Sequence, residues 1–424
     1  MSTNTHIPLG NFRILERTKP SLPELTDLPQ QIASALGVLA LPAERLHNKR
    51  IAVAVGSRGI ASIKVLVKAV CDWLKRQGAL PGVFPAMGSH GGATAEGQQK
   101  VLAGYGVTPE FLGVNILSSM ETVPLGATPE GFRVFMDRYA WEADGVVVLN
   151  RVKPHTDFSG KIESGLLKML AVGMGKVDGA LECHHWSWKF GYEKTIRAVS
   201  GKVLASGKIL AGVALVENEF HQIAALRAAS AADIVATEEA CLEIARPLVA
   251  RLPFPKLDLV IVDELGKNIS GTGMDTKVVG RGVELQPGAA PEIRLIYVRD
   301  LTPESNGNAL GVGLADAMHE RLYRKIDLQK MYANARTSMN PPMPRLPIFW
   351  PSDQEALDWL LGALGSPEPA EQRVAWIRNT LNLNRIAISE RLAREAAALA
   401  GWRLLPEPCA PRFDSAGNLT PSPV

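Results

Sequence analysis

Cysteine is scarce in this chain. The four present in 424 residues (Cys71, Cys183, Cys241 and Cys409) lie far apart and show no C-x-x-C spacing. That excludes a disulfide framework and a zinc ribbon, and three of the four read as buried or incidental. A long apolar run is also lacking. The opening residues MSTNTHIPLG are polar, with no hydrophobic h-region, and no later stretch has the length of a bilayer span. A cytoplasmic protein without a membrane partner is expected. Nor is there an excess of one charge: 46 basic and 43 acidic residues leave a net +3, with the cations scattered among acids. A nucleic-acid partner is therefore not expected. No internal repeat of fixed period is present.

What the chain does have is length, glycine and alternation. At 424 residues it is too long for one compact core, and two domains are expected, with a cleft between them. RIAVAV, residues 50 to 55, reads as a buried strand, and the apolar spacing of the following segment suits an amphipathic helix ended by Gly78. A second strand near Gly82 to Met87 leads into GSHGGATAEGQ, where Thr94 can cap a helix. Strand-like runs recur at Gly145 to Leu149, Ile209 to Val216 and Leu257 to Val262, with a helix from about Ala231 to Val249 between the last two. This is the rhythm of parallel α/β structure. The proline-bearing RLPFPK, residues 251 to 256, marks a boundary. It divides an N-terminal α/β domain (1–252) from a C-terminal α/β domain (257–395), with a final segment and frayed tail at 396–424. Helical segments are expected after Ser352.

In parallel α/β sheets the loops that follow the strands meet at one edge, where ligands bind. Three such loops carry polar residues: Gly56-Ser57-Arg58-Gly59, Gly88-Ser89-His90-Gly91-Gly92 and Lys153-Pro154-His155. Small residues let backbone amides approach an anion, and the set adds one arginine and two histidines able to polarise a carboxylate and move protons. A further cluster, Glu182-Cys183-His184-His185-Trp186, holds imidazole and sulfur donors suited to nickel, copper or zinc. Each feature has a plainer reading. A loop histidine is more often structural than catalytic, and Lys168 in GLLKML could be a helix lysine snorkelling from an apolar face. Glu217-Asn218-Glu219 reads as a solvated strand end, and the ISGTGMD stretch as a turn.

Taken together, GSHGGATAEGQ, PHTDFSG, Lys168 followed by MLAVG, His184 and the ISGTGMDTK loop occur in the order seen in the nickel-pincer lactate racemase family. Over roughly residues 50 to 285 the chain resembles a divergent member of that family. The resemblance implies a lactate-racemase-like pair of α/β domains that hold a nickel pincer nucleotide, the pyridinium-3,5-bisthiocarboxylic acid mononucleotide of nickel. It implies His90 and His155 as paired acid/base groups, Arg58 beside the substrate, Lys168 as the cofactor's tether and His184 as a nickel ligand. Ser57, Gly160 and Lys277 fall at cofactor contacts. The implied reaction is racemisation or epimerisation of a 2-hydroxy acid through a 2-keto acid, by reversible hydride transfer. Cofactor-assembly enzymes are the implied transient partners.

The chain departs from the family in places. Val55 stands where lactate racemases have an acid, and Gly91 where they have an arginine, so substrate or cofactor contacts have changed. The stretch between His155 and Lys168 is longer than the family's, which makes Lys161 a rival tether; His185 is the rival to His184. In the second domain Asp275 and Lys277 lie nearest the family's polar loop, with Lys267 as another cation. Two other readings of the same residues stand beside the racemase. One is a zinc-dependent hydrolase of a phosphorylated or carboxylate substrate, the other a metal or anion binder without chemistry.

Overall fold

The structure is a computed structural model. It describes residues 7–56, 59–156, 158–282, 291–338, 341–420 and 423–424, the side chain of residue 337 excepted. The chain is mixed α/β and divides into two units, one of residues 22–155 and 159–249, the other of residues 1–21, 156–158 and 250–424. The described residues form fifteen strands, β1 to β15 in chain order.

The first unit is built on β2 (Arg50–Val55), β3 (Leu80–Pro85), β6 (Gly145–Arg151), β7 (Ile209–Glu217) and β8 (Ile223–Ser230), in the order β3-β2-β6-β7-β8. The first four are parallel, and β8 returns antiparallel to β7. Isoleucine, valine and alanine dominate β2, β6 and β7 because helices cover the sheet, as parallel sheets require. The helix Ile63–Arg76 shows the expected amphipathic pattern, with Leu66, Val67, Val70 and Leu74 packed beneath Val53 and Val55. A small antiparallel ribbon of β4 (Thr122–Ala127) and β5 (Arg133–Asp137) also belongs to this unit.

The second unit holds an eight-stranded sheet in the order β12-β11-β10-β9-β13-β14-β1-β15. Its members are β1 (Phe12–Arg17), β9 (Lys256–Leu265), β10 (Glu292–Leu301), β11 (Ala317–His319), β12 (Ile348–Trp350), β13 (Val374–Ile377), β14 (Arg385–Ser389) and β15 (Trp402–Cys409). Strands β9 to β13 run parallel, whereas β14, β1 and β15 pair antiparallel. Successive residues of β9 feed opposite cores: Val260 and Val262 join one cluster, Leu259 and Ile261 the other. That alternation is the period of two expected of a strand covered on both faces.

Several expectations need correction. Residues 12–17, placed by the sequence in the N-terminal domain, form a strand of the C-terminal sheet. The region after Ser352, expected to be helical, contributes three strands besides its helices. The final segment, 396–424, of which residues 411–424 are expected to be frayed, supplies β15. It also supplies a turn in which the Asn418 amide proton meets the Asp414 carboxylate and the Leu419 carbonyl accepts from the buried Arg299. Alternation fails as a guide in β13 and β14 because these strands are buried on both faces and read as short apolar runs. Among the described residues no helix is long and apolar enough to cross a membrane.

Candidate active site

The sheet order places the candidate loops. β3, β2 and β6 are neighbours, so the His90 loop after β3, the loop after β2 and the His155 loop after β6 leave adjacent strand ends. Strands β3 and β6 flank β2, a separation of roughly 10 Å at two strand spacings. Ser57 and Arg58 lie outside the described residues; Gly56 beside them sits against Met169 and Asn150, where an added Cβ would come within 3.1 Å of the methionine methyl.

The His155 loop is organised by a carboxylate. Two backbone bonds between Lys153 and Ser164 close its base, at 2.9 and 3.1 Å. Inside it, the fully buried Glu163 accepts from the His155 amide at 2.5 Å and the Gly160 amide at 3.3 Å. Arg246 completes the arrangement, donating to Glu163 at 2.9 Å and to the Gly160 carbonyl. The Gly160 amide, expected at a cofactor contact, is thus engaged within its own loop. Lys161, the rival tether, is exposed, and its amide donates to Glu193.

Lys168 ends a short helix, Leu166–Lys168, that continues as a π-helical turn, Met169–Gly173. In that turn the Met174 amide reaches the Met169 carbonyl at 2.8 Å. π-Turns gather at functional sites because they redirect a side chain without ending the helix. A second buried carboxylate fixes the start of this segment: Glu238 accepts from the Leu167 amide at 2.7 Å and from Leu166. Gly165 is required there, since a Cβ would lie 2.4 Å from the Glu238 carboxyl carbon. Burial pushes the Glu238 carboxyl up to about 7.

The Lys168 ammonium is brought to the His155 ring, with Nζ hydrogen bonded to Nε2. It also stands beside His184 on the helix Lys176–Phe190, where burial and then the Lys168 charge pull the imidazole down to about 4. His184 is therefore neutral at pH 7, the form that ligates metals. Its Nδ1 is buried and has no hydrogen-bond partner among the described residues. Tyr192 binds the group together: its ring stacks on His155 at 6.1 Å and 27° and meets His184 edge-on at 6.1 Å and 79°. His155, Lys168, His184 and Tyr192 thus form one cluster. His185 points elsewhere, exposed and packed edge-on to Trp186. Cys183 is buried with its thiol pushed up to about 12, so it stays protonated.

His90 is exposed on its glycine-rich loop, and the Gly88 amide donates to the Gly173 carbonyl at 3.0 Å, joining this loop to the π-turn after Lys168. Thr94 caps the helix Ala95–Gly104 as its sequence position predicts, accepting from Gly97 at 3.0 Å. Glu217, Asn218 and Glu219 are not a solvated strand end but are buried or nearly so. Glu217 pairs with Arg151 and accepts from the Ala61 amide at 2.7 Å, fastening the loop after β2.

Lys277 belongs to the other unit, where it is buried and donates to the Phe158 carbonyl at 3.4 Å, Phe158 being counted with that unit. Its neighbour Thr276 donates to the Thr156 carbonyl. Lys267 is turned to Gly271 and Asn334.

Glu163, Glu238 and Tyr192 escape sequence reasoning to different degrees. Glu238 leaves a readable trace, a charge on the stripe Ile234, Glu238, Cys241, Leu242, Ala245 that the helix buries. Glu163 and Tyr192 leave none, since their partners are set by tertiary contacts.

Among the described residues no three His, Cys, Asp or Glu side chains gather to hold a metal. The shielded Nδ1 of His184, without a hydrogen-bond partner among the described residues and beside a lysine, fits a metal held together with a cofactor.

Residues 8–167 match the sequence profile described as the lactate racemase N-terminal domain. No curated protein matches the chain. Among solved structures, the lactate racemase apoprotein from Thermoanaerobacterium thermosaccharolyticum is 16% identical, with a TM-score of 0.48, over 88% of this chain and 89% of its own. A protein from Thermotoga maritima is 15% identical, with a TM-score of 0.47, over 64% and 69%. The match over residues 8–167 identifies that part of the chain as similar to a lactate racemase N-terminal domain.

Proposed function

We propose that this protein is a racemase or epimerase of a 2-hydroxy acid that works with a nickel pincer nucleotide. The observation that carries the reading is the His155–Lys168–His184 cluster, with its shielded and unpartnered His184 Nδ1. Lys168 would tether the cofactor and His184 would ligate its nickel. When bound, the cofactor supplies a reversible acceptor for the α-hydrogen as hydride.

The rest falls to this chain's own side chains. His155 takes the hydroxyl proton of one enantiomer and His90 that of the other, since imidazole exchanges protons near neutrality. The two bases stand on loops that leave the strands flanking β2, and a small acid would bind between them. His155 Nε2 faces the Lys168 ammonium in the free protein. Lys168 would hold the cofactor through its nitrogen, and His155 Nε2 would then be available to the substrate. Glu163 holds the His155 backbone in place. Arg58 would orient the substrate carboxylate.

The test is native and denaturing mass spectrometry of protein co-expressed with cofactor-assembly enzymes and nickel, followed by chiral analysis of lactate and longer 2-hydroxy acids. A nickel-nucleotide increment that survives denaturation, is lost in Lys168→Ala and accompanies racemisation supports the reading. An increment seen only in the native spectrum removes the tether but keeps the cofactor. No increment in either spectrum, with no racemisation, overturns the proposal.

A further inference from the structure

We infer that Lys176, through Gln98, is the positioning residue of the His90 loop. Lys176 is completely buried and opens the helix Lys176–Phe190 with a left-handed backbone, φ 53°. Its ammonium has three hydrogens and meets three oxygens: the Pro85 carbonyl at 2.5 Å, Gln98 Oε1 at 2.9 Å and Asp137 Oδ2 at 3.1 Å. These come from the end of β3, the helix Ala95–Gly104 and the end of β5.

The contact with Gln98 has a directional consequence. A buried amide can be turned either way, but an ammonium can donate only to its oxygen. With Oε1 held by Lys176, the Gln98 NH2 group must face the other way, and there it donates to the Gly88 carbonyl at 2.9 Å and the His90 carbonyl at 3.3 Å. The loop needs such a brace. Gly88, Gly91, Gly92 and Ala93 all have positive φ, so no regular ladder fixes its carbonyls. Gln98 itself is fully buried.

A buried lysine–aspartate pair is a poor device for stability alone, because desolvation offsets the attraction. Burial accordingly pushes Asp137 up and Lys176 down. What the pair supplies is orientation: one ammonium sets the amide that sets the histidine loop. The same lysine begins the helix that carries His184, so a single residue relates the two positions. That His90 is a base rests on the function proposed above; that Lys176 positions its loop does not.

The test uses Lys176→Met with Asp137→Asn, which removes both charges while preserving volume and the Asp137 cap on Ala140, and Gln98→Leu. Amide hydrogen exchange is followed in the full-length protein, together with the His90 imidazole resonance, assigned from His90→Gln. The expected result in each folded variant is at least tenfold faster exchange across Gly88–Ala93, a displaced or broadened His90 resonance with an altered titration, and under twofold change in the helix Lys176–Phe190. If the double variant fails to fold, Gln98→Leu decides. Unchanged loop exchange and an unmoved His90 resonance in a folded variant overturn the inference, as does an equal loosening of the helix and the loop. Absence of racemisation in the unaltered protein would remove the proposed function and leave this result standing.

Discussion

The two histidine loops leave strands on either side of β2, yet they are held by opposite chemistry. The His90 loop is braced through its carbonyls, by an amide that a buried cation orients. The His155 loop and the Lys168 segment are braced through their amides, by the buried carboxylates Glu163 and Glu238. Irregular backbone pairs with itself only in part, so side chains meet its remaining polar groups. The charge of each anchor follows from which backbone groups turn inward. The difference also leaves unlike surroundings: His155 meets an ammonium, while His90 stands exposed on its glycines.

The comparison breaks most severely at Glu163. Glu163→Ala leaves two loop amides without their acceptor and removes one of the carboxylates that Arg246 pairs with, and the expected cost is about 3–5 kcal/mol, read by chemical denaturation. No loss beyond about 1 kcal/mol would mean that the loop holds itself.

Next in size is the pH dependence of Glu238. Its folded-state carboxyl titrates near 7 against 4.5 in the unfolded chain. As pH rises from about 4.5 to 7 the unfolded state gives up a proton that the folded state keeps, so this group's contribution, fully present below 4.5, is lost. Glu238→Gln keeps an oxygen for the Leu166 and Leu167 amides and removes the titration. The variant should flatten the fall in stability over that window, a difference on the order of 2–3 kcal/mol by its upper end. Parallel stability–pH curves for the two proteins would contradict it.

Gly165→Ala presses a methyl group onto the same carboxylate and should cost about 1–3 kcal/mol. Glu238→Ala in the same chain should relieve much of that, a non-additivity that a double-mutant cycle measures. At the small end, Lys161→Ala should change stability by less than about 0.5 kcal/mol and leave any cofactor mass increment intact, because the side chain is exposed. Loss of the increment in that variant would move the tether from Lys168 to Lys161.

Much of the site's frame was legible in the sequence, because local rules govern it. β2 spans the residues its composition predicts, Thr94 caps its helix, and the polar loops after β2, β3 and β6 do leave adjacent strands. The anchors were not legible. Glu163 reads as one more loop acid, and Lys176 as the end of a glycine-rich run, until the fold buries them. The C-terminal sheet failed for a related reason: β1 has no local sign of partners that lie far along the chain.

β1 also carries a consequence in time. Phe12–Arg17 precedes the other strands in the chain and, among the described residues, pairs with Arg385–Ser389 and Trp402–Cys409. Through most of synthesis it has no place to go, while the sheet of β2, β3, β6, β7 and β8 can close behind it. Pairings across such sequence distance are slow to form. Closure of the eight-stranded sheet around β1 therefore waits for β14 and β15, and until they are made the nascent chain carries an uncovered strand for a chaperone, or a neighbouring chain, to meet first.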